Sequence, residues 1–156
     1  MFQGIKKLFG GKKEEGQILA PVAGQAVPLS EVPDPAFAQE ILGKGVAILP
    51  SENEFKAPAS GEVTVLFETG HAVSIRTESG ADVIVHIGLD TVNLKGQFFI
   101  THVKQGDTVK AGDLLITADI EQIKAAGYEV ITPVIVCNVS DLSLIHISEP
   151  TRPISI

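Results

Sequence analysis

From Gln17 onward the chain is built of short runs of β-branched and apolar residues, each cut off within a few positions by Pro or Gly. Fifteen Gly and nine Pro are spread through the sequence. That punctuation suits many short strands joined by turns. Strands so short and frequent predict an all-β fold, an antiparallel β-sandwich or barrel-like domain with one or two short helical turns. The length of 156 residues fits one domain with its own core. That core must be mostly aliphatic, because the chain has no Trp, one Tyr and seven Phe.

An internal echo supports recurring β-structure. Ala20-Pro21-x-x-Gly24 and Ala57-Pro58-x-x-Gly61 are related by an offset of 37 and are each followed by strand-forming residues. Each copy is expected to be a strand, a tight turn and a returning strand. Asp34 to Leu42 reads as a short helix, with Asp34 as N-cap, Pro35 at the first helical position and Gly43 as the stop. Residues 45–50 return to strand, 62–88 read as a hairpin, and 92–102 as a further strand pair. A turn and strand follow over 106–117, one or two helical turns over 120–126, and a strand over 128–136.

The net charge of −7 argues against nucleic acid as the main partner. The single cysteine, Cys137, has no internal disulfide partner, which favours a reduced, cytoplasmic protein. Its apolar run, residues 134–137, reads as buried core rather than a catalytic thiol. No apolar run approaches membrane-span length, and the N-terminus lacks the features of a secretory signal. Residues 1–16 form a segment of their own. Phe2, Ile5, Leu8 and Phe9 share a helical face flanked by lysines, which reads equally as a solvated tail or as a peripheral membrane contact through residues 1–13.

Walker A, G-x-G-x-x-G, H-E-x-x-H and Cys-x-x-Cys motifs are all absent. Two histidines stand out instead. His71 and His86 flank the turn signal Thr77-Glu-Ser-Gly80. If the turn centres between Glu78 and Ser79, opposed positions sum to 157 and the two histidines face each other. Directly opposed side chains share a face with Cβ atoms roughly 5 Å apart. His86 sits in the apolar run Val-Ile-Val-His-Ile-Gly, where burial keeps an imidazole neutral near pH 7. Neutral imidazole is both a nucleophile toward phosphorus and a metal ligand. A zinc site at His71 and His86 needs a third protein ligand, and Asp90 is the nearby candidate.

Here the residues carry a resemblance. The run Phe67-Glu-Thr-Gly-His71, then Val85-His86-Ile-Gly-Leu-Asp90-Thr-Val-Asn-Leu-Lys-Gly96, resembles the glucose-type enzyme IIA domain of the bacterial sugar phosphotransferase system. Val32-Pro-Asp34-Pro-Ala-Phe37-Ala, Gly43-Lys-Gly-Val-Ala-Ile-Leu-Pro50, Lys56-Ala-Pro-Ala-Ser-Gly61 and Thr132-Pro-Val match in order and spacing. The resemblance covers roughly residues 17–141. It implies a phosphocarrier that needs no cofactor. His86 would take a phosphoryl group through Nε2 from the histidine-containing phosphocarrier protein and pass it to a cysteine of a sugar-specific IIB domain, supporting sugar uptake. It implies that His71 stabilises the phosphoryl oxygens and that Thr69 belongs to the same hydrogen-bond network. Asp34 and Asp90 would meet basic groups of the partners. An apolar collar for docking is expected from Phe37, Ile41, Leu42, Phe67, Val85 and Ile87. For Val85 a core position is the better expectation.

Three other readings remain. Gly106-Asp-Thr-Val-Lys-Ala-Gly-Asp-Leu-Leu also resembles biotinyl and lipoyl carrier domains, although no carrier lysine on a typical hairpin tip follows it. A zinc-binding β-domain or zinc peptidase using His71 and His86 is the second, with zinc adventitious or regulatory in a phosphocarrier. A purely structural interaction module is the plainest option. The match stops after Asp141. Residues 142–156 read as an atypical, non-native tail, which would leave a strand missing and a sheet edge open. His102 and His146 are given no role.

Overall fold

A computed structural model describes residues 17–137, together with the backbone of two short strands at His146–Ser148 and Pro153–Ser155. The expected basic segment at residues 1–16 lies outside the described residues, as does most of the tail at 142–156. Among the described residues, no helix is long and apolar enough to cross a membrane.

Among the described residues the fold is β throughout, with two short helices. In chain order the strands are β1 (Gln17–Leu19), β2 (Gly24–Pro28), β3 (Lys44–Pro50), β4 (Glu54–Lys56), β5 (Gly61–Leu66), β6 (Ala72–Thr77) and β7 (Asp82–His86). There follow β8 (Phe99–Thr101), β9 (Thr108–Val109), β10 (Leu114–Ala118), β11 (Thr132–Cys137), β12 (His146–Ser148) and β13 (Pro153–Ser155). The helices are α1 (Pro35–Ala38) and α2 (Ile120–Ala125). One seven-stranded sheet runs β9-β5-β6-β7-β11-β3-β2, and two three-stranded sheets run β4-β10-β8 and β13-β12-β1. Among the described residues, the pairings are antiparallel except β12 with β1. The backbone of residues 146–148 therefore lies along Gln17–Leu19, where the sequence reading expected an open edge.

Alternation along the central strands sorts side chains onto two faces. Val73, Ile75, Val83, Val85, Val134 and Val136 point into the main core. Each contributes about 1.5–3 kcal/mol by leaving water. Ile135 and Ala47 point the other way, into a smaller cluster with Leu29, Val32, Phe37, Leu89 and Ile131. The sheet is thus covered on both faces at β3 and β11, toward its β2 edge. Ile84, two residues before His86 on β7, packs at the margin of the smaller cluster. The fold therefore brings His86 toward α1 and Phe37.

The two Ala-Pro-x-x-Gly segments are corners between sheets, not hairpins. The strands on either side of each turn pair with different partners: β1 with β12 and β2 with β3, β4 with β10 and β5 with β6. The corners bond each other reciprocally. Leu19 N–H donates to Pro58 O at 2.8 Å, and Lys56 N–H donates to Pro21 O at 2.7 Å. The glycine that closes each corner is required by close approach, since a Cβ on Gly24 would collide with Leu49 O and one on Gly61 with Arg76 O.

Three local expectations are corrected. The helix expected over 34–42 spans only Pro35–Ala38. Asp34 is its N-cap, accepting from Ala36 N–H at 3.0 Å. It is ended by Glu40 rather than Gly43: Glu40 is left-handed at φ 59, Glu40 N–H bonds Phe37 O, and Ile41 N–H bonds Ala36 O. That bond pair is a Schellman motif, which uses up the last carbonyls and turns the chain away. The strand pair expected over 92–102 is a 3-10 turn at Thr91–Leu94 followed by a single strand at Phe99–Thr101. Left-handed Asp90 and Lys95 bracket the turn, and Asn93 N–H to Asp90 O and Lys95 N–H to Val92 O close it. The last body strand begins at Thr132 rather than 128.

A fourth correction bears on the histidines. The loop between β6 and β7 is Glu78–Gly80, with Gly80 left-handed at φ 94 and Thr77 N–H bonded to Ala81 O. The extra residue moves the register by one. Ala72, not His71, stands opposite His86, and Arg76 stands opposite Asp82, to which it is salt-bridged at 2.8 Å.

Candidate functional site

His71 lies just outside β6 at its first end, and His86 is the last residue of β7. His71 is therefore not bound to the pleat of the ladder. Its backbone stays with it, since Ile87 N–H donates to His71 O at 2.7 Å. Its ring meets His86 edge to face, with centroids 5.2 Å apart. The pair expected from the sequence exists, by a different geometry.

Each imidazole has one ring nitrogen engaged. His86 Nδ1 lies 2.7 Å from Gly88 O. A carbonyl oxygen only accepts, so Nδ1 carries the proton and Nε2 of the neutral ring carries a lone pair. His71 Nδ1 lies 2.5 Å from Thr69 Oγ1. If the hydroxyl donates there, His71 Nε2–H is a free donor. The structure thus brings Thr69 into hydrogen-bond contact with His71.

Two phenyl rings extend the array. Phe37 is tilted against His86 at 5.4 Å, and Phe67 stands edge-on to His71 at 5.0 Å. Phe37 is only 6% exposed, so it is not part of an exposed collar. It belongs to the smaller cluster and backs His86. Val85 and Ile87 are also buried, in the main core, because their side chains alternate away from His86. The exposed apolar residues of the expected collar are Ile41 at 68%, Leu42 at 50% and Phe67 at 48%. Val92, exposed on the 3-10 turn that follows Asp90, is an apolar neighbour in sequence that the reading missed.

Both imidazoles are held neutral. His71 is 3% exposed, and burial, with His86 second, lowers its pKa to about 4. Burial also lowers the pKa of the half-buried His86, against the opposing pull of the Gly88 hydrogen bond and of Asp34 and Asp90. The two acids therefore act on His86 from α1 and from the left-handed position that opens the 3-10 turn. Cys137 is half-buried rather than fully buried. Its thiol donates to Leu42 O at 3.3 Å and its pKa is raised by burial. A thiol in that state is a poor nucleophile. Among the described residues, no three of His, Cys, Asp and Glu converge as a metal site would require. The two imidazoles by themselves leave zinc short of ligands.

Gly88 and Thr91 complete the site and carry no role in the sequence reading. Gly88 supplies the carbonyl under His86 from a left-handed conformation at φ 76. Thr91 is wholly buried and bonds Ile87 O at 2.6 Å. The signal for both was the Gly and the Thr within His86-Ile-Gly-Leu-Asp-Thr91.

Comparison with known proteins shows the family and the fold. The family model described as "phosphoenolpyruvate-dependent sugar phosphotransferase system, EIIA 1" matches residues 16–142. The chain is 43% identical over 154 residues to the PTS system glucose-specific EIIA component of Oceanobacillus iheyensis, covering 97% of this chain and 93% of that protein. It is 50% identical over 132 residues to the PTS system beta-glucoside-specific EIIBCA component of Bacillus subtilis, covering 85% of this chain but only 22% of that longer protein. The solved structure of glucose permease IIA from Mycoplasma capricolum superposes with a TM-score of 0.77 at 41% identity, covering 79% of this chain and 80% of that one.

Proposed function

The chain belongs to the EIIA 1 family of the phosphoenolpyruvate-dependent sugar phosphotransferase system, and from that premise we propose that it is a cytoplasmic phosphocarrier working through His86. The observation that carries the reading is the bond from His86 Nδ1–H to Gly88 O, which leaves the Nε2 lone pair available beside His71. The donor is the phosphohistidine of the histidine-containing phosphocarrier protein. As the Nε2 lone pair of His86 forms a bond to phosphorus, the donor's N–P bond breaks and its electron pair returns to the donor imidazole. No proton leaves Nε2, and Nδ1–H stays on Gly88 O throughout.

In the second half-reaction a cysteine thiolate of a sugar-specific IIB domain attacks the phosphorus, and the N–P electron pair returns to Nε2. Both steps pass through a loose transition state, so alignment and charge stabilisation supply most of the rate. His71 Nε2–H, oriented by Thr69, donates to the phosphoryl oxygens as charge develops. No metal or cofactor is needed for either step. Ile41, Leu42 and Phe67 give a partner apolar surface to cover, and Asp34 and Asp90 meet its basic groups. The relatives in which an EIIA segment is joined to IIB and IIC in one chain support a IIB domain as the acceptor.

The test is direct. The protein is incubated with labelled phosphoenolpyruvate and the two general carrier proteins, and the phosphate is mapped. Acid-labile phosphate on His86, lost in His86→Ala, is expected. Label on His71 or elsewhere would overturn the assignment.

A further inference from the structure

The turn that carries the carbonyl bonded to His86 is itself held by a buried side chain. In water a neutral histidine side chain favours the Nε2–H form, so the Nδ1–H form required for attack through Nε2 needs a partner that stays in place. That partner is Gly88 O, in a segment braced at three points. Ile87 N–H donates to His71 O at 2.7 Å, Leu89 N–H donates to Glu129 O at 3.0 Å, and Thr91 Oγ1–H donates to Ile87 O at 2.6 Å. The first two braces are backbone to backbone, and the third depends on one side chain.

Thr91 is used on both branches. Its hydroxyl closes the turn on Ile87, and its methyl packs over Gly88, where an added Cβ would stand 2.7 Å from Thr91 Cγ2 and 2.7 Å from Glu129 O. Thr91 is fully buried, so water does not compete for the bond. Thr91 thus holds the peptide before Gly88 by its hydroxyl and crowds the Gly88 Cα by its methyl, and the next carbonyl, Gly88 O, takes its direction from that turn.

We propose that Thr91 is a positioning residue that sets the His86 tautomer by holding the turn that aims Gly88 O at Nδ1. It touches neither phosphoryl group nor partner and acts only through that carbonyl. The proposal deepens the phosphocarrier reading and rests on it for its consequence, but its primary readout does not.

The experiment uses the full chain labelled with 15N-histidine. Ring nitrogen chemical shifts and ring couplings identify which nitrogen of His86 is protonated at neutral pH. Thr91→Val keeps the shape and removes the donor, Thr91→Ser keeps the donor, and Thr91→Ala removes it without any bulk should the Val variant fail to fold. Expected is Nδ1–H in the wild type and in T91S, and a mixture containing Nε2–H in the folded Val or Ala variant. Phosphoryl acceptance then slows by about 10- to 100-fold with the half-saturating donor concentration unchanged. An unshifted tautomer and wild-type rate in the folded Val or Ala variant overturn the proposal, as does an Nε2–H form in T91S. Phosphate mapped away from His86 in the wild type would instead sink the carrier reading and leave the tautomer result standing.

Discussion

The ring of His71 meets the ring of His86 at 5.2 Å although Ala72 occupies the ladder position opposite His86. The meeting is possible because His71 precedes the first paired residue of β6, so its side chain is free of the strand's alternation. Its orientation comes instead from Thr69 on one ring edge and Phe67 on the other side. Meanwhile its carbonyl accepts from Ile87, the neighbour of His86. The two histidines are therefore tied through the backbone as well as through their rings, which fixes their spacing against side-chain motion.

His71→Gln retains an N–H donor but loses the ring. The variant is expected to accept phosphate on His86 yet pass it to a IIB domain about 10- to 100-fold more slowly. Rapid-quench measurement of the two half-reactions separates the steps. Onward transfer at the wild-type rate would remove His71 from the mechanism.

The lowered imidazoles give a pH signature. His71 titrates at about 4 when folded but at the ordinary value near 6.5 when unfolded. Below about 6.5 the unfolded chain binds the proton that the folded one refuses, so stability falls as pH falls. The loss develops between roughly pH 6.5 and 4 and levels off below the folded value. His86, shifted in the same direction, adds to it. Urea denaturation from pH 7 to 4 should show this slope, with a smaller slope in His71→Gln. Equal slopes for the two proteins would contradict the assignment of the titration to His71.

Two glycines in the same region should respond differently to alanine. Gly80 is left-handed with open space where a Cβ would stand, so Gly80→Ala should cost only the backbone strain, about 1–2 kcal/mol. Gly88 is left-handed and crowded by Glu129 O and Thr91. Gly88→Ala should cost more, about 2–4 kcal/mol, and slow phosphoryl acceptance as well. Denaturant midpoints and acceptance rates measure both. Equal costs at the two sites would show that the contacts around Gly88 are slack.

Asp34 has two separable jobs. Its side chain caps α1 by accepting from Ala36 N–H, and its charge raises the pKa of His86. Asp34→Asn should keep the cap and stability within about 0.5 kcal/mol. It should also move the His86 titration, followed by NMR, further down. Asp34→Ala should shift the titration in the same direction and in addition destabilise by about 1 kcal/mol. An unmoved His86 in both would show that the carboxylate is too well solvated to be felt.

The β class, the cap at Asp34 and the identity of both imidazoles were legible in the residues, because each rests on local chemistry or on a motif of fixed spacing. The register was not. Thr-Glu-Ser-Gly allows two turn lengths, and the chain takes the longer one, with Gly80 left-handed. The helix beyond Ala38 was misread because Gly43 is the obvious stop, whereas the chain uses Glu40, a residue with no turn preference, at the left-handed position. The supposed strand pair at 92–102 failed because alternating apolar residues also suit a 3-10 turn when Asp90 and Lys95 take left-handed backbone. Phe37 was assigned to the surface because sequence alone does not reveal that a second, smaller core lies behind His86.

The two corners at Ala20–Gly24 and Ala57–Gly61 carry a further meaning. Leu19 to Pro58 and Lys56 to Pro21 are one and the same bond under the shift of 37 residues, each segment giving what it receives. That reciprocity is the mark of an isologous contact, the kind a two-fold axis produces between identical subunits. Here both halves belong to one polypeptide, so the contact forms at the high effective concentration set by the intervening chain rather than by protein concentration. The local symmetry is kept as a permanent internal joint, while the histidines, which have no counterpart in the first copy, break it and carry the chemistry.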